Sequence, residues 1–363
     1  MVRSRDNNNE GTASRTPTPR GSIAIDSKNH QGVVYVSGKP IVLVTEPIAD
    51  VGMQVLRQSC EIIAPWQQSR PYSAEELATA DAIIIRLSKA TADILSLAPR
   101  LKVIGRHGVG VDNVDLKAAT ERRIPVVFTP SALTMVNAVA EHTVQLMLAL
   151  ARHAVAYDQM VRQGRWGERS SLMGVEFYQK TLGVVGLGAI GKKVAEICQK
   201  GLGMRIVAYD PYVKVSPAGL EVTLVDSLRG LLEQSDVVTL HLPSTAETSY
   251  LIGAEALAWM KPTALLINAA RGRIVDTVAL AQALDRGKIL GAALDVFEDE
   301  PPPVNHPLLT APRTLFSPHV ASMTSSSMAR MAELVARQVV QVLAGERPEH
   351  VANPAVYESG PVG

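Results

Sequence analysis

The stretch "TLGVVGLGAIGKKVAEICQKG", residues 181–201, decides the fold of this 363-residue chain. An apolar run predicts a buried strand, three glycines follow with the spacing Gly186-x-Gly188-x-x-Gly191, and a helical pattern continues from there. Gly186 would permit a tight turn, Gly188 would let a pyrophosphate approach the backbone, and Gly191 would let the helix pack closely on the strand. A strand, a glycine-rich turn and a helix in this order predict a Rossmann dinucleotide-binding domain, with the pyrophosphate at the helix N-terminus.

Asp210 supports this interpretation because it ends the next apolar run, "RIVAYD", about twenty residues beyond the last glycine. A carboxylate at that position accepts hydrogen bonds from the adenosine ribose hydroxyls and would repel a phosphate on the same ribose. The sequence therefore predicts NAD rather than NADP as the cofactor. The alternative is that Asp210 only caps the turn before Pro211.

Short β-branched runs alternate with helical stretches on both sides of this motif. Alternation of this kind predicts parallel strands joined by crossover helices, so we expect an α/β chain with two doubly wound domains. One long helix is predicted over roughly Val136–Gln163, and an amphipathic helix over the stretch "MARMAELVARQVVQVLAG" near the end. The strand runs before the motif are "IVLV", "EIIA", "AIII", "KVIG" and "VVF".

Composition and charge narrow the class of partner. With 47% hydrophobic residues the chain can fill two domain cores, and its net charge of +1 leaves no broad basic or acidic surface. We therefore expect a small-molecule partner, no nucleic acid and no membrane. Cys60 and Cys198 are far apart and lack CxxC spacing, which argues against a disulfide framework or a thiolate zinc site and favours a reducing cytoplasm.

Residues 1–38 are polar, contain proline and have no apolar core. They are expected to form a disordered tail and not a signal peptide. An organellar transit peptide stays open because arginine and serine are common there, although Asp6, Glu10 and Asp26 argue against it.

Charged side chains follow three of the later strand runs. Arg271 follows "LLINAA", an acidic cluster follows "AALDVF", and His319 follows "LFSP". Since parallel strands deliver their last residues to one ligand-binding crevice, these groups could form an anion clamp with a proton donor. Separately, Arg271 could neutralise nearby acids, His319 could be an ordinary loop histidine, and Glu298 or Asp299 could be the working acid. A metal site built from the acids, His306 and His319 is conceivable but has no recognised ligand spacing.

The order of motifs resembles one known family over about residues 40–345. The matching stretches are "GVGVDNVDL", "NAVAEHT", "KTLGVVGLGAIGKKV", "NAARGRIVD", "AALDVFEDEP" and "SPHVA". They resemble the NAD-dependent D-isomer-specific 2-hydroxyacid dehydrogenases, especially the phosphoglycerate-dehydrogenase-like branch. The resemblance implies a catalytic set of Arg271, Glu300 and His319. It implies substrate contacts from Arg86, Arg106 and the backbone amides around Val109 and Gly110. It implies cofactor contacts from Gly188, Ala189, Ile190, Asp210, His241, Pro243, Ala269 and Asp295, with Asp295 holding the nicotinamide carboxamide.

The family also implies a domain plan. A Rossmann NAD-binding domain over 137–320 would be inserted into a split, flavodoxin-like substrate-binding domain of residues 39–136 and 321–348, with a C-terminal tail over 349–363. Family members usually dimerise through the cofactor domain. We therefore expect a homodimer to which residues 136–175, including Trp166, contribute.

The implied reaction transfers a hydride between NAD(H) and a pair of D-2-hydroxy acid and 2-keto acid. NADH would supply the hydride, His319 the proton, and Arg271 the countercharge for the carboxylate and the developing alkoxide. His107 and the stretch "ASMTSSSM" depart from the phosphoglycerate pattern, so 3-phosphoglycerate, hydroxypyruvate, glyoxylate and longer 2-keto acids stay open. A second hypothesis is an NADH-binding dimeric scaffold with little turnover, like the corepressors of the C-terminal binding protein group.

Overall fold

The structure of the protein is a computed structural model, which describes residues 38–358. The disordered tail expected over 1–38 lies outside the described residues except for Gly38, and so do residues 359–363. All strand pairs in the two described sheets are parallel, which confirms the α/β class predicted from the alternating pattern. Among residues 38–358 no helix is both long and apolar enough to cross a lipid bilayer.

The first sheet has five strands in the order β2-β1-β3-β4-β5, the flavodoxin-like order. Its strands are β1 (Ile41–Val44), β2 (Glu61–Ile63), β3 (Ala82–Ile85), β4 (Val103–Arg106) and β5 (Val126–Val127). The helices of this region are α1 (Asp50–Ser59), α2 (Ala74–Thr79), α3 (Ala92–Ser96), α4 (Leu116–Glu121) and α5 (Ser131–Thr134).

The second sheet has seven strands in the order β12-β11-β10-β9-β6-β7-β8. The change of direction on either side of β6 is the switch point at which Rossmann sheets bind dinucleotides. The strands are β6 (Thr181–Val185), β7 (Arg205–Tyr209), β8 (Val222–Leu224), β9 (Val237–Leu240), β10 (Leu265–Asn268), β11 (Gly291–Leu294) and β12 (Thr314–Phe316). The helices are α6 (Val136–Ala151), α7 (Ala154–Arg162), α8 (Ala189–Leu202), α9 (Leu228–Gln234), α10 (Ala254–Trp259) and α11 (Thr277–Asp285).

The last helix, α12 (Ser325–Leu343), returns to the first sheet. A Cβ built on Gly105 of β4 would lie 2.7 Å from Val339 Cγ2 and 3.0 Å from Val335 Cγ2 of this helix. Val335 and Val339 are fully buried, so the apolar stripe predicted from the sequence is the face that packs on β4. The assignment of the two sheets to a substrate-binding and a cofactor-binding domain stays a prediction.

The prediction of a single helix over Val136–Gln163 is wrong, because the chain forms two helices, α6 and α7, on either side of His153. His153 has a left-handed φ of 51°. The carbonyl of Ala151 accepts a hydrogen bond from the amide of Val175 at 2.9 Å, so a tertiary partner satisfies the end of α6. The dimer contact expected over 136–175 stays a prediction; Trp166 in that segment is 65% exposed.

Residues 349–358, expected to belong to a C-terminal tail, instead include a segment that pairs with the first sheet. Val351 forms an antiparallel bridge with Val127, and the amide of Ala352 donates to the carbonyl of Val126 at 2.8 Å. Asn353 Oδ1 accepts from the amide of Val126, also at 2.8 Å. These bonds pair the outer edge of β5, which would otherwise expose unpaired backbone groups.

Candidate active site

Three neighbouring strands bring the predicted catalytic residues to one edge of the second sheet. Asn268 of β10 lies beside Leu294 of β11, and Leu294 lies beside Phe316 of β12. Arg271 and His319 each follow three residues after those strand ends, and Glu300 lies in the loop after β11. The carboxyl ends of parallel strands thus supply all three groups from adjacent positions.

Arg271 reaches from this edge to the loop that follows β4 in the first sheet. Its Nε lies 3.4 Å from Asp112 Oδ2, and its Nη1 donates to the carbonyl of Ala270 at 2.8 Å. A Cβ built on Gly110 would lie 2.2 Å from Arg271 Nη2, so the guanidinium rests directly on this glycine. The side chain is 33% exposed, which leaves the guanidinium accessible to an anion in the cleft.

The glycine after this arginine fits tightly against the next loop. A Cβ built on Gly272 would lie 1.9 Å from both the carbonyl carbon and the carbonyl oxygen of Phe297. Only a residue without a side chain fits there, because the backbone of Phe297 cannot move away as a flexible side chain could. The turn that carries Arg271 is therefore packed directly on the loop that leads to Glu300.

His319 and Glu300 form a close pair. His319 Nδ1 lies 2.7 Å from Glu300 Oε2, and Glu300 Oε1 accepts from the amide of Phe297 at 3.1 Å. Burial alone would raise the pKa of Glu300, but the hydrogen bond and charge of His319 outweigh it and lower the pKa. Glu300 is therefore a carboxylate at neutral pH. Because it binds Nδ1 of His319, the other ring nitrogen, Nε2, is the one that can face a ligand.

The backbone of His319 is strained. Its φ is 54°, in the left-handed region that residues other than glycine and asparagine adopt at a cost of roughly 1–2 kcal/mol. The surrounding bonds hold it there, since the amide of His319 donates to the main-chain oxygen of Asp295 at 2.7 Å. Strain of this kind is typical of functional sites.

The other acids of the cluster have different partners. Glu298 accepts from Thr277 and from the hydroxyl of Tyr250, which lies 2.8 Å away. His306 Nε2 lies 3.1 Å from Thr277 Oγ1. Among the described residues no group of three or more His, Cys, Asp or Glu side chains could hold a metal ion. The geometry therefore favours Glu300 over Glu298 as the partner of His319.

Asp295 is completely buried at the end of β11. Its carboxylate accepts from the amides of Val320 and Ala321, each at 2.9 Å, and from the hydroxyl of Ser317. His142 Nε2 of α6 lies 3.3 Å from Oδ1. The carboxylate thus already holds the loop that carries His319, and the carboxamide contact that the family resemblance implies stays a prediction.

The loop after β4 provides hydrogen-bond donors opposite Arg271. Within residues 38–358, the amides of Val109 and Gly110 have no hydrogen-bond partner. Arg106 Nη1 donates to the carbonyl of His107 at 2.6 Å, while its buried Nε has no partner in the described chain. Burial, followed by the charge of Arg271, lowers the pKa of Arg106 to about 10. Unpaired donors around one cleft indicate a site for an anion.

Arg86 lies in a loop that the partly buried carboxylate of Glu46 holds by hydrogen bonds. Glu46 Oε2 accepts from the amide of Arg86 at 2.8 Å, and Oε1 accepts from the amide of Ser88 at 2.5 Å. His107, one residue beyond Arg106, is 2% exposed, and neither ring nitrogen has a partner in the described chain. Burial, and then the charge of Arg86, lowers the pKa of His107 to about 4, so the ring is neutral at pH 7.

The glycine-rich turn after β6 fits a dinucleotide. Gly188 precedes the 14-residue helix α8 with no side-chain cap, and nothing lies within 4 Å of a Cβ built on it. Open space and uncapped amides are what an approaching pyrophosphate requires. Gly191, by contrast, would place a Cβ 2.1 Å from the carbonyl oxygen of Gly186, so helix and strand pack as the motif predicts. Ala189 and Ile190 begin the helix.

The carboxylate of Asp210 binds the backbone of this turn. Its Oδ2 accepts from the amide of Leu187 at 2.8 Å, and its Oδ1 accepts from the amide of Tyr212 at 2.9 Å. The carboxylate therefore caps its turn and lies beside the glycine loop, and its contact with a ribose stays a prediction. A ribose could share either oxygen, since each has a second lone pair.

The remaining predicted cofactor residues lie at the same sheet edge. A Cβ on Gly186 would lie 2.5 Å from the carbonyl oxygen of His241, so the loop after β9 packs on the glycine turn. The His241 ring lies 2.9 Å from Thr239 Oγ1, and the carbonyl of Pro243 accepts from Thr248. Ala269 follows β10 and is partly exposed. This edge is where a Rossmann sheet holds its ligand.

Several site residues were missed in the sequence. Asp112 lies in the quoted stretch "GVGVDNVDL" and His142 in "NAVAEHT", so both were within recognised motifs. Ser317 likewise begins the quoted stretch "SPHVA", whereas Glu46 stands in a short segment after β1 with no motif to mark it. Their partners come from other elements, so only the folded chain reveals their contacts.

Comparison with known proteins identifies the family of the chain. A family model described as D-isomer specific 2-hydroxyacid dehydrogenase, NAD binding domain, matches residues 144–321. A D-3-phosphoglycerate dehydrogenase of Methanocaldococcus jannaschii is 42% identical over 314 residues, which are 86% of this chain but 59% of that protein. The chain thus spans little more than half the length of that relative.

Other relatives match over nearly their full length. A glyoxylate reductase of Thermofilum pendens is 42% identical over 336 residues, covering 89% of this chain and 97% of that protein. The crystal structure of an NADPH-dependent glyoxylate/hydroxypyruvate reductase from Sinorhizobium meliloti, in complex with NADP and malonate, has a TM-score of 0.75 and 28% identity, and covers 89% of this chain and 100% of that one. On its sequence and its fold, the chain belongs to the D-isomer-specific 2-hydroxyacid dehydrogenases, a family of NAD-binding oxidoreductases.

Proposed function

We propose that the protein interconverts a 2-keto acid and the D-2-hydroxy acid with NAD(H) as the cofactor. The observation that carries this proposal is that Arg271, Glu300 and His319 all follow neighbouring strands at one sheet edge. His319 and Glu300 lie 2.7 Å apart there, and Arg271 lies against the loop of Val109 and Gly110. When bound, NADH would supply a hydride, which none of these side chains can provide.

Arg271 and the loop opposite it would bind and orient the substrate. A substrate carboxylate can replace Asp112 beside the guanidinium and accept hydrogen bonds from the unpaired amides of Val109 and Gly110. The planar fork of arginine can hold a carboxylate and polarise the adjacent carbonyl at the same time. Arg86 and Arg106 add positive charge around this cleft, which favours a substrate with a second anionic group.

His319 would move the proton. In reduction, protonated His319 gives the proton on Nε2 to the carbonyl oxygen while its Nδ1 donates to Glu300. In oxidation, neutral Nε2 takes the proton of the substrate hydroxyl. Glu300 also fixes the ring, because its bond to Nδ1 determines which nitrogen faces the substrate.

The first test is NADH oxidation against a panel of glyoxylate, hydroxypyruvate, phosphohydroxypyruvate and longer 2-keto acids. We expect at least one of them to turn over at about 1 s⁻¹ or faster. Preference for phosphohydroxypyruvate would assign Arg86 and Arg106 to a phosphate. Tight NADH binding without turnover of any member would instead support the scaffold hypothesis and contradict this proposal.

Asp210 is expected to set the preference for NAD over NADP. Asp210→Asn keeps the shape of the side chain but removes its negative charge. That charge would strengthen the hydrogen bonds from the ribose hydroxyls of NADH and would repel the ribose phosphate of NADPH. NADH affinity, measured by fluorescence titration, should fall by about tenfold or less, while NADPH affinity holds or improves. Glu221→Gln, an exposed acid at β8, is the matched control. Equal losses for both cofactors would mean that Asp210 only caps its turn.

A further inference from the structure

A chain of hydrogen bonds runs from helix α6 to the loop that carries His319. His142, on α6, places Nε2 2.9 Å from Ser317 Oγ. Ser317 donates its single hydroxyl proton to Asp295 Oδ1, so toward His142 its oxygen can only accept. His142 must therefore carry its proton on Nε2, which faces both Ser317 Oγ and, at 3.3 Å, Asp295 Oδ1. His142 thus supports Asp295 through Ser317 and by direct contact.

The end of this chain holds the catalytic loop at several points. Asp295 accepts from the amides of Val320 and Ala321, and its own carbonyl accepts from the amide of His319. Burial works to raise the pKa of Asp295, but the donors, His142 foremost, lower it and keep the carboxylate ionised. A buried carboxylate that loses a donor is costly, so the loop and the donor chain support each other.

The loop has a specific need for such support. His319 sits in the left-handed backbone region, where its side chain would not remain without external restraint. Its imidazole is 52% exposed, so packing holds it only in part. Besides the bond between its Nδ1 and Glu300, the ring is therefore restrained by the bonds that Asp295 accepts from residues 317–321.

We propose that His142 is a positioning residue for the reaction: through Ser317 and Asp295 it fixes residues 317–321, so that His319 faces the substrate. None of its ring atoms needs to touch the substrate or the cofactor. This inference rests on the proposed function for its effect on turnover, while its effect on the loop can be measured without substrate or cofactor. It also links α6, a helix of the second sheet, to the placement of the proton donor.

The test compares His142→Leu with His142→Gln in the full-length protein. Leucine fills the space without a donor, whereas the glutamine amide can still donate to Ser317. We expect His142→Leu to lower kcat about tenfold or more, with KM for NADH within about twofold, because misplacement of the reacting group slows the chemical step. His142→Gln should recover most of kcat. Gln145→Ala, an exposed position on the same helix, should match the wild type.

A second readout uses hydrogen exchange of the cofactor-free protein. His142→Leu should speed amide exchange in the peptide that covers residues 317–323, since the amides of Val320 and Ala321 would be less protected, and leave β1 unchanged. Wild-type kcat together with wild-type exchange in His142→Leu would overturn the proposal. If the wild type itself turns over no 2-keto acid, the proposed function fails, while the exchange result still decides whether His142 holds the loop.

Ser317→Ala removes the hydroxyl between His142 and Asp295 but leaves their direct 3.3 Å contact, and it covers the case in which His142→Leu does not fold. It should produce the same local increase in exchange and a similar loss of kcat, and the double variant should lose little more than either single variant. Fully additive losses would show that the two residues act separately, which contradicts a single chain of donors.

Discussion

Replacing His319 by asparagine should reduce kcat for the reduction of the 2-keto acid by about 10²–10⁴-fold, the range that a general acid contributes. Asparagine is the right substitute because His319 has a φ of 54°, and asparagine tolerates the left-handed backbone better than alanine does. The variant therefore removes the imidazole without adding strain to the loop. NADH affinity, measured by fluorescence, should stay within about twofold, because the glycine turn and Asp210 lie on other strands.

The matched control is His153→Asn. His153 also occupies the left-handed region, with a φ of 51°, and lies between α6 and α7. Its variant should keep the wild-type kcat, which separates loss of the proton donor from the general effect of replacing a strained histidine. Near wild-type turnover by His319→Asn would contradict the assigned role, whereas loss of NADH binding would show that the variant damages the cofactor site instead.

Replacing Arg271 by lysine should lower kcat/KM for the 2-keto acid by about 10²–10³-fold, although the positive charge is kept. Lysine offers a point charge and cannot hold a carboxylate and the neighbouring carbonyl with two parallel bonds. The guanidinium also rests on Gly110 and contacts Asp112. The ammonium group of lysine lacks the planar fork and would lose these contacts. Both the KM for the keto acid and kcat should change, since binding and charge stabilisation depend on the same group.

Arg273→Lys serves as the control for this variant. Arg273 lies two residues further along and is exposed, and its main-chain carbonyl accepts from the amide of Tyr250. Steady-state kinetics with the preferred keto acid, together with NADH titration, would measure both variants. If Arg271→Lys kept the wild-type kcat/KM, the fork geometry would be irrelevant and the assigned role of Arg271 would be wrong.

Those parts of the fold that depend on local chemistry could be predicted from the sequence. The turn at Gly186, Gly188 and Gly191 could be located because each glycine meets a steric need that a neighbouring atom imposes. The two doubly wound sheets could be predicted because alternating strands and helices leave few other arrangements. The convergence of Arg271 and His319 followed from one rule, that parallel strands end at the same edge.

Features that depend on tertiary partners could not be predicted. Nothing in the residues around His153 signals a helix break, because the amide of Val175, far along the chain, satisfies the end of α6. The pairing of residues 351–353 with β5 depends on an available edge, which no local pattern reveals. The choice of Glu300 within the acidic cluster needed either the family resemblance or the path of the loop, since the three acids are chemically alike.

The fit of Gly272 on the backbone of Phe297 has a consequence for engineering this protein. Substrate scope is most easily altered at residues whose surroundings can adapt. Position 272 is the opposite case. In a library randomised there, we expect glycine alone among the active clones, because any larger residue would push apart the turn that carries Arg271 and the loop that leads to Glu300.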